Sequence, residues 1–80
     1  MAQVIRLEAE EARRLKNDTA FQKFVKNVRE DQMKIFAESS ASDVDAREEA
    51  HSIVRALNQI EVILDAKVNA ETILDHKQRK

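Results

Sequence analysis

The chain contains neither glycine nor proline among its 80 residues. Glycine reaches positive φ without steric cost, and proline breaks the interior of a helix. An average chain of this length carries roughly ten of the two together. The chain therefore has few ways to make a tight turn and nothing that interrupts a long helix. We predict an all-helical protein with a helix content above about 80%, against an average of about one-third.

Apolar periodicity and capping residues divide the sequence into three predicted helices. These helices span about residues 5–16, 19–38 and 43–75. Three acids, Glu8, Glu10 and Glu11, lie near the start of the first segment, where they complement the helix dipole. This charge pattern favours a helix that begins near Ile5.

Polar residues mark both predicted helix boundaries. Asn17 and Asp18 separate the first two helices, and Asp18 is suited to be the N-cap of the second. We expect a kink or a fresh helix start there. Residues 39–43 form the only turn-like cluster, and Ser42 with Asp45 resembles a capping box for the third helix.

The predicted lengths fit a single helical hairpin. The third helix would be roughly 50 Å long at about 1.5 Å per residue, and the first two together are about as long. A short connection near Ala41 favours antiparallel neighbours. We therefore expect one domain over residues 1–80, a kinked antiparallel hairpin. The second helix would pack on the first half of the third, and the first helix on its second half.

Apolar stripes indicate which faces of the helices are in contact. Gln32 interrupts the stripe of the second helix, where another apolar layer is due. That stripe comprises Phe21, Phe24, Val25, Val28, Ile35 and Phe36. The main stripe of the third helix comprises Ala50, Ile53, Val54, Leu57, Ile60, Leu64 and Val68.

A second apolar surface lies around the third helix from its main stripe. The candidate interface residues are Val62, Ile63, Ala66, Ile73 and Leu74. A chain of this size has a marginal core, and oligomerisation is the usual remedy when disulfides and metals are absent. We expect a homo-oligomer, a dimer or higher, or a complex with a protein partner.

One short motif raises the question of a metal site. Glu48-x-x-His51 has the spacing by which helical bundles hold metals, and Glu30 and Asp31 would lie at a similar level in the hairpin. The sequence has no second such motif, and His51 lies beside the apolar stripe rather than on it. We expect no metal and no other cofactor. Whether Glu48 and His51 bind a metal in an oligomer stays open.

The charges of the first half suggest an alternative function. The basic residues there are Arg13, Arg14, Lys16, Lys23, Lys26 and Arg29. They could serve a small nucleic-acid-associated regulator. However, the net charge is −1 and the three phenylalanines belong to the apolar stripe, so we do not expect nucleic acid to be the partner.

Other function classes have little support in the sequence. The chain lacks cysteine and tyrosine, it has no glycine-rich phosphate loop, and a hairpin offers no deep pocket. We therefore expect no enzymatic activity. No apolar run approaches the about 20 residues of a membrane span. We expect no membrane partner and a cytoplasmic location.

The helix-boundary signatures of the chain lie in residues 11–22 and in residues 42–50, which lead into residues 53–57 and 60–64. These stretches resemble small, uncharacterised helical proteins of tailed bacteriophages and prophages, often encoded among virion-structure genes. In those relatives proline often stands where this chain has Thr19, in agreement with a helix start there. The resemblance implies a phage accessory or assembly protein, located in the host cytoplasm or the virion, and it brings no active residues. We expect a non-enzymatic helical protein–protein interaction or assembly module.

Overall fold

The computed structural model describes residues 1–78, and 91% of these are helical. The helices are α1 (Ala2–Asn17), α2 (Thr19–Glu38) and α3 (Val44–Gln78). The described chain contains no strand. These observations confirm the predicted all-helical class, the helix content and the bounds of α2. The single-domain prediction also covers Arg79 and Lys80, which lie outside the described residues.

The outer helices are longer than predicted. Helix α1 begins three residues before Ile5, and α3 begins one residue later than expected and continues to Gln78. Met1 is the N-cap of α1 without a side-chain hydrogen bond, and the first turn contains no acid. The backbone N–H of Ile5 donates to the Met1 carbonyl at 3.1 Å. The prediction from Glu8, Glu10 and Glu11 was therefore wrong, because backbone hydrogen bonds alone start this helix.

A single extended residue, Asp18, joins α1 to α2. Its φ of −71° and ψ of 117° interrupt the helix, and its side chain accepts a hydrogen bond from the Phe21 N–H at 2.8 Å. The side-chain amide of Gln22 donates across the junction to the Lys16 carbonyl. The predicted break and the predicted N-cap are thus confirmed. A short aspartate can bend the chain here because its carboxylate replaces a missing backbone partner.

The connection between α2 and α3 turns without glycine, and no residue in the range 1–78 has a positive φ. The Asp43 N–H donates to the Ser40 carbonyl at 3.1 Å, and the Ser40 N–H donates back to the Asp43 carboxylate at 3.0 Å. The Ser40 hydroxyl donates to the same carboxylate at 3.1 Å. These two hydrogen bonds to the carboxylate, aided by Arg47, hold the pKa of Asp43 below its ordinary value of 3.8.

The expected capping box of Ser42 and Asp45 is not formed. Two residues earlier, the Asp43 carboxylate accepts from the Ser40 N–H, but the Asp43 N–H donates to the Ser40 backbone carbonyl and not to its hydroxyl. The Ser42 hydroxyl lies 2.9 Å from that of Ser40 and so belongs to the turn. The pattern in the sequence was ambiguous because serine and aspartate recur through this segment.

Both shorter helices pack against α3. Helix α1 lies close to α3 through Ala9 and Ala12, two small residues that are fully or almost fully buried. Arg6 of α1 pairs with Asp75 of α3 at 2.7 Å. Arg29 of α2 pairs with Glu61 of α3, also at 2.7 Å.

The resulting molecule is thin and elongated. Its extents are 59 × 22 × 16 Å and its radius of gyration is 17.3 Å. A compact domain of 80 residues has a radius of gyration near 12 Å. The smallest extent is little more than the diameter of one helix with its side chains, about 10–12 Å. The protein is therefore a single layer of helices, with no further element above or below it in the described residues.

Candidate interaction surface

The interior of this layer is made of small residues. The buried residues are Ala9, Ala12, Ala50 and Gln32, and no large side chain in residues 1–78 is fully buried. The best-covered large residues of the predicted stripes, such as Val25 and Leu57, are only half-buried. Each helix is covered by neighbours on one side only, so this layer cannot enclose a leucine or a phenylalanine.

Several members of the predicted stripes are exposed. They are Phe24, Val28, Ile35 and Phe36 of α2 and Ile60 of α3. The stripes therefore predict the contacting faces only in part, because these members stay open to solvent. The apolar stripe of α2 is wide, and a stripe of that width is fully covered only when neighbours pack on it from more than one side. Here α3 covers only part of it.

Gln32 interrupts the apolar stripe of α2 and is nevertheless the best-covered residue of that helix, with 9% of its surface exposed. It follows Phe21, Val25 and Val28 at alternating steps of four and three residues, which is the spacing of a helix–helix seam. No side-chain nitrogen or oxygen within residues 1–78 is both buried and without a hydrogen-bond partner. A polar side chain thus occupies a seam position in the α2–α3 contact.

On one side of the α2–α3 seam, polar side chains bridge the two helices. Arg29 donates to Asn58 at 2.8 Å and to Glu61 at 2.7 Å. Lys16, just before the junction with α2, pairs with Asp65 on α3. We call this the polar edge. A groove of about 430 Å³ runs along it, with Phe21, Val25 and Leu64 among its lining residues.

The opposite edge of the layer is apolar. Each residue of an α-helix turns the chain by about 100° around the helix axis. On that basis Phe24 lies about 140° around α2 from Arg29, and Ile60 lies about 160° around α3 from Asn58. Val28 and Ile35 share the side of Phe24. We call Phe24, Val28, Ile35 and Ile60 the apolar edge. Each of them is exposed, and the Phe24 ring keeps 62% of its surface accessible, with the Lys23 ammonium 5.8 Å from its centroid.

Sequence reasoning assigned the apolar edge to the core and so missed it as a surface. A signal for it was present. The apolar residues of α2 from Phe24 to Phe36 cover an arc of about 120° when about 100° is assigned to each residue. A single facing helix cannot cover an arc of that width.

The predicted interface on α3 is also largely exposed. Val62, Ile63 and Ile73 keep 65%, 55% and 57% of their surfaces accessible, and Ala66 is exposed as well. We call these four residues the outer patch. Leu74 differs because it is half-buried. It lies between Glu71 and Asp75, which contact α1.

The basic residues of the first half are mostly engaged in ion pairs. Arg13 pairs with Glu71, Lys16 with Asp65 and Arg29 with Glu61, all across the contact with α3. Arg14 and Lys26 pair with glutamates one turn away on their own helices. Glu8 of α1 pairs in the reverse sense with Lys67 of α3. Neutralised charges of this kind weaken the argument for a phosphate-binding surface.

Glu48 and His51 line one shallow depression together with Phe36, Val44 and Arg47. Both are exposed, and the Arg47 guanidinium places a positive charge in the same depression. No group of three or more histidine, cysteine, aspartate or glutamate side chains within the described residues could hold a metal ion. The motif therefore gains no further ligand from α2.

Within residues 1–78, none of the helices combines the length and apolarity that crossing a bilayer requires.

Comparison with known proteins found no matching family model, no similar curated protein and no similar solved structure. The interpretation of function therefore depends on the surfaces described above.

Proposed function

We propose that this chain is a non-enzymatic helical interaction module that assembles with further copies of itself. In this proposal α1, α2 and α3 form a kinked antiparallel hairpin, and association with another chain supplies the covering layer that the hairpin lacks. The observation that carries the proposal is the absence of any fully buried large apolar side chain within residues 1–78.

The exposed area supports this proposal quantitatively. The structure exposes 6409 Å², whereas a compact monomer of 9.2 kDa exposes about 4,900 Å². The excess is about 1,500 Å², and a standard protein–protein interface takes about 800 Å² from each partner. Burying apolar area stabilises by roughly 25 cal/mol per Å². Association can therefore add to the stability that the internal packing of this thin layer supplies.

We further propose that the assembly belongs to a phage particle or its morphogenesis, with the protein in the host cytoplasm or the virion. The resemblance of residues 11–22, 42–50, 53–57 and 60–64 to helical phage proteins supports this context. Portal, capsid or terminase genes beside the coding sequence would support it, and a neighbourhood of unrelated metabolic genes would contradict it.

Sedimentation velocity over low to high micromolar concentrations tests self-association directly. We expect a dimer or larger species, and a melting temperature that rises with protein concentration, because binding between folded chains stabilises them by mass action. A monomer whose melting temperature is independent of concentration would contradict the proposal.

A further inference from the structure

We propose that the apolar edge, formed by Phe24, Val28, Ile35 and Ile60, is the contact through which two copies of this chain pair. This inference rests on the proposed self-association and names the surface that carries it. Val62, Ala66 and Ile73 of the outer patch lie at least about 120° around α3 from Ile60 and so stay available in the dimer for a further contact.

The two edges of the α2–α3 layer differ in how complete they are. At the polar edge, Arg29 bridges the two helices through Asn58 and Glu61, beside the groove lined by Phe21, Val25 and Leu64. At the apolar edge, Val28 and Ile35 of α2 and Ile60 of α3 are each partly covered by the layer and partly open to solvent. Side chains in that state are typical of helices that face a core from two directions.

The proposed pairing completes such a core. Two layers that meet at their apolar edges place four long helical segments around one interior, the arrangement of a four-helix bundle. The half-covered residues of each layer would then lie inside. The excess exposed area, about 1,500 Å² per chain by comparison with a compact monomer, is larger than the share that a standard dimer interface requires.

The chemistry of the edge favours a second copy over a different partner. All four side chains are uncharged, and the Lys23 ammonium lies beside the face, 5.8 Å from the centroid of the Phe24 ring. A two-fold contact presents the same patch from both chains, and uncharged side chains meet their own copies without repulsion. The exposed Phe24 ring is suited to be the central residue of the contact, because buried aromatic side chains dominate interface energies.

The chain offers a matched pair of variants for the test. Phe24 and Met33 lie on the same helix with nearly equal exposure, 62% and 61%. They are nine residues apart and therefore about 180° apart around α2. Phe24→Gln removes an apolar side chain from the apolar edge, and Met33→Gln removes one from the opposite side. Both residues are mostly exposed, so we expect both variants to keep the wild-type helix content by circular dichroism.

Sedimentation equilibrium would measure the dimer dissociation constant of each protein. We expect Phe24→Gln to raise it roughly 10- to 100-fold, the range for loss of a central interface residue. We expect Met33→Gln to leave it unchanged, and a Val62→Lys/Ile73→Lys double variant of the outer patch to remain dimeric. Equal dissociation constants for Phe24→Gln and Met33→Gln would overturn the inference.

A second measurement does not depend on affinity. The chain has no cysteine, so Asn27→Cys provides a unique thiol on the side of α2 that carries Phe24, and Lys26→Cys provides one on the opposite side. We expect oxidation to give a disulfide-linked dimer with Asn27→Cys and much less with Lys26→Cys.

If the wild type associates and only the substitutions in the outer patch abolish that association, the inference fails and the proposed self-association stands. If the wild type is a monomer, both fail.

Discussion

Replacing Gln32 by leucine should stabilise the protein. Gln32 occupies a seam position of the α2–α3 contact with only 9% of its surface exposed. It therefore has the environment of an apolar residue and the chemistry of a polar one. Gln32→Leu restores the apolar layer that the stripe of α2 lacks at this level.

The magnitude follows from the burial of the site. Fully burying a leucine contributes about 1.5–3 kcal/mol relative to leaving it exposed. Ordering a leucine side chain also costs less entropy than ordering a glutamine, by about 1 kcal/mol. An imperfect fit of the leucine side chain in the seam would reduce this gain in stability by up to about 1.5 kcal/mol. We expect a net gain of about 1–3 kcal/mol, and in a protein of this size each kcal/mol raises the melting temperature by roughly 4–8 °C.

Thermal and urea unfolding followed by circular dichroism would measure the effect. All proteins should be compared at one concentration, since association also changes the melting temperature. Gln3→Leu is the control, because Gln3 is exposed on α1 and a surface substitution changes stability by no more than about 0.5 kcal/mol. If Gln32→Leu is no more stable than Gln3→Leu, the amide of Gln32 contributes more to the seam than an apolar side chain would, and the reasoning is wrong.

Three further predictions concern the helix boundaries and the seam. Asp18→Ala should destabilise the protein by about 1 kcal/mol through loss of the N-cap of α2, whereas Asp18→Asn should cost much less; chemical denaturation would separate the two. Asp43→Asn should lower the melting temperature at neutral pH. The pKa of Asp43 is depressed below 3.8 in the folded protein, so this contribution is present above that pH and is lost as the pH falls further. The melting temperatures of wild type and Asp43→Asn should therefore converge in acid, and a constant difference down to low pH would contradict the assignment. Leu57→Ala should cost about 1–3 kcal/mol in unfolding experiments, less than the about 2–5 kcal/mol of a fully buried leucine, because Leu57 is only half-buried. An unchanged stability would show that Leu57 does not contact α2.

Features that depend on neighbouring residues could be predicted from the sequence. The absence of glycine and proline predicted the helix content, and Asp18 predicted the break between α1 and α2. Such features depend on residues within one turn of each other. The start of α1 was misjudged because no side chain caps it. The turn before α3 was misjudged because serine and aspartate recur through this segment and only their hydrogen bonds distinguish them.

The distribution of burial was decided by tertiary structure. The sequence shows that Phe24, Val28 and Ile35 belong to one apolar stripe, but a stripe does not say how many neighbours cover it. In this structure α3 covers only part of the stripe, and Arg29 bridges the two helices with hydrogen bonds to Asn58 and Glu61. The helices and their apolar faces could therefore be predicted from the sequence. The packing alone decided which face became the seam and which stayed open, because coverage depends on the positions of residues that are far apart in the chain.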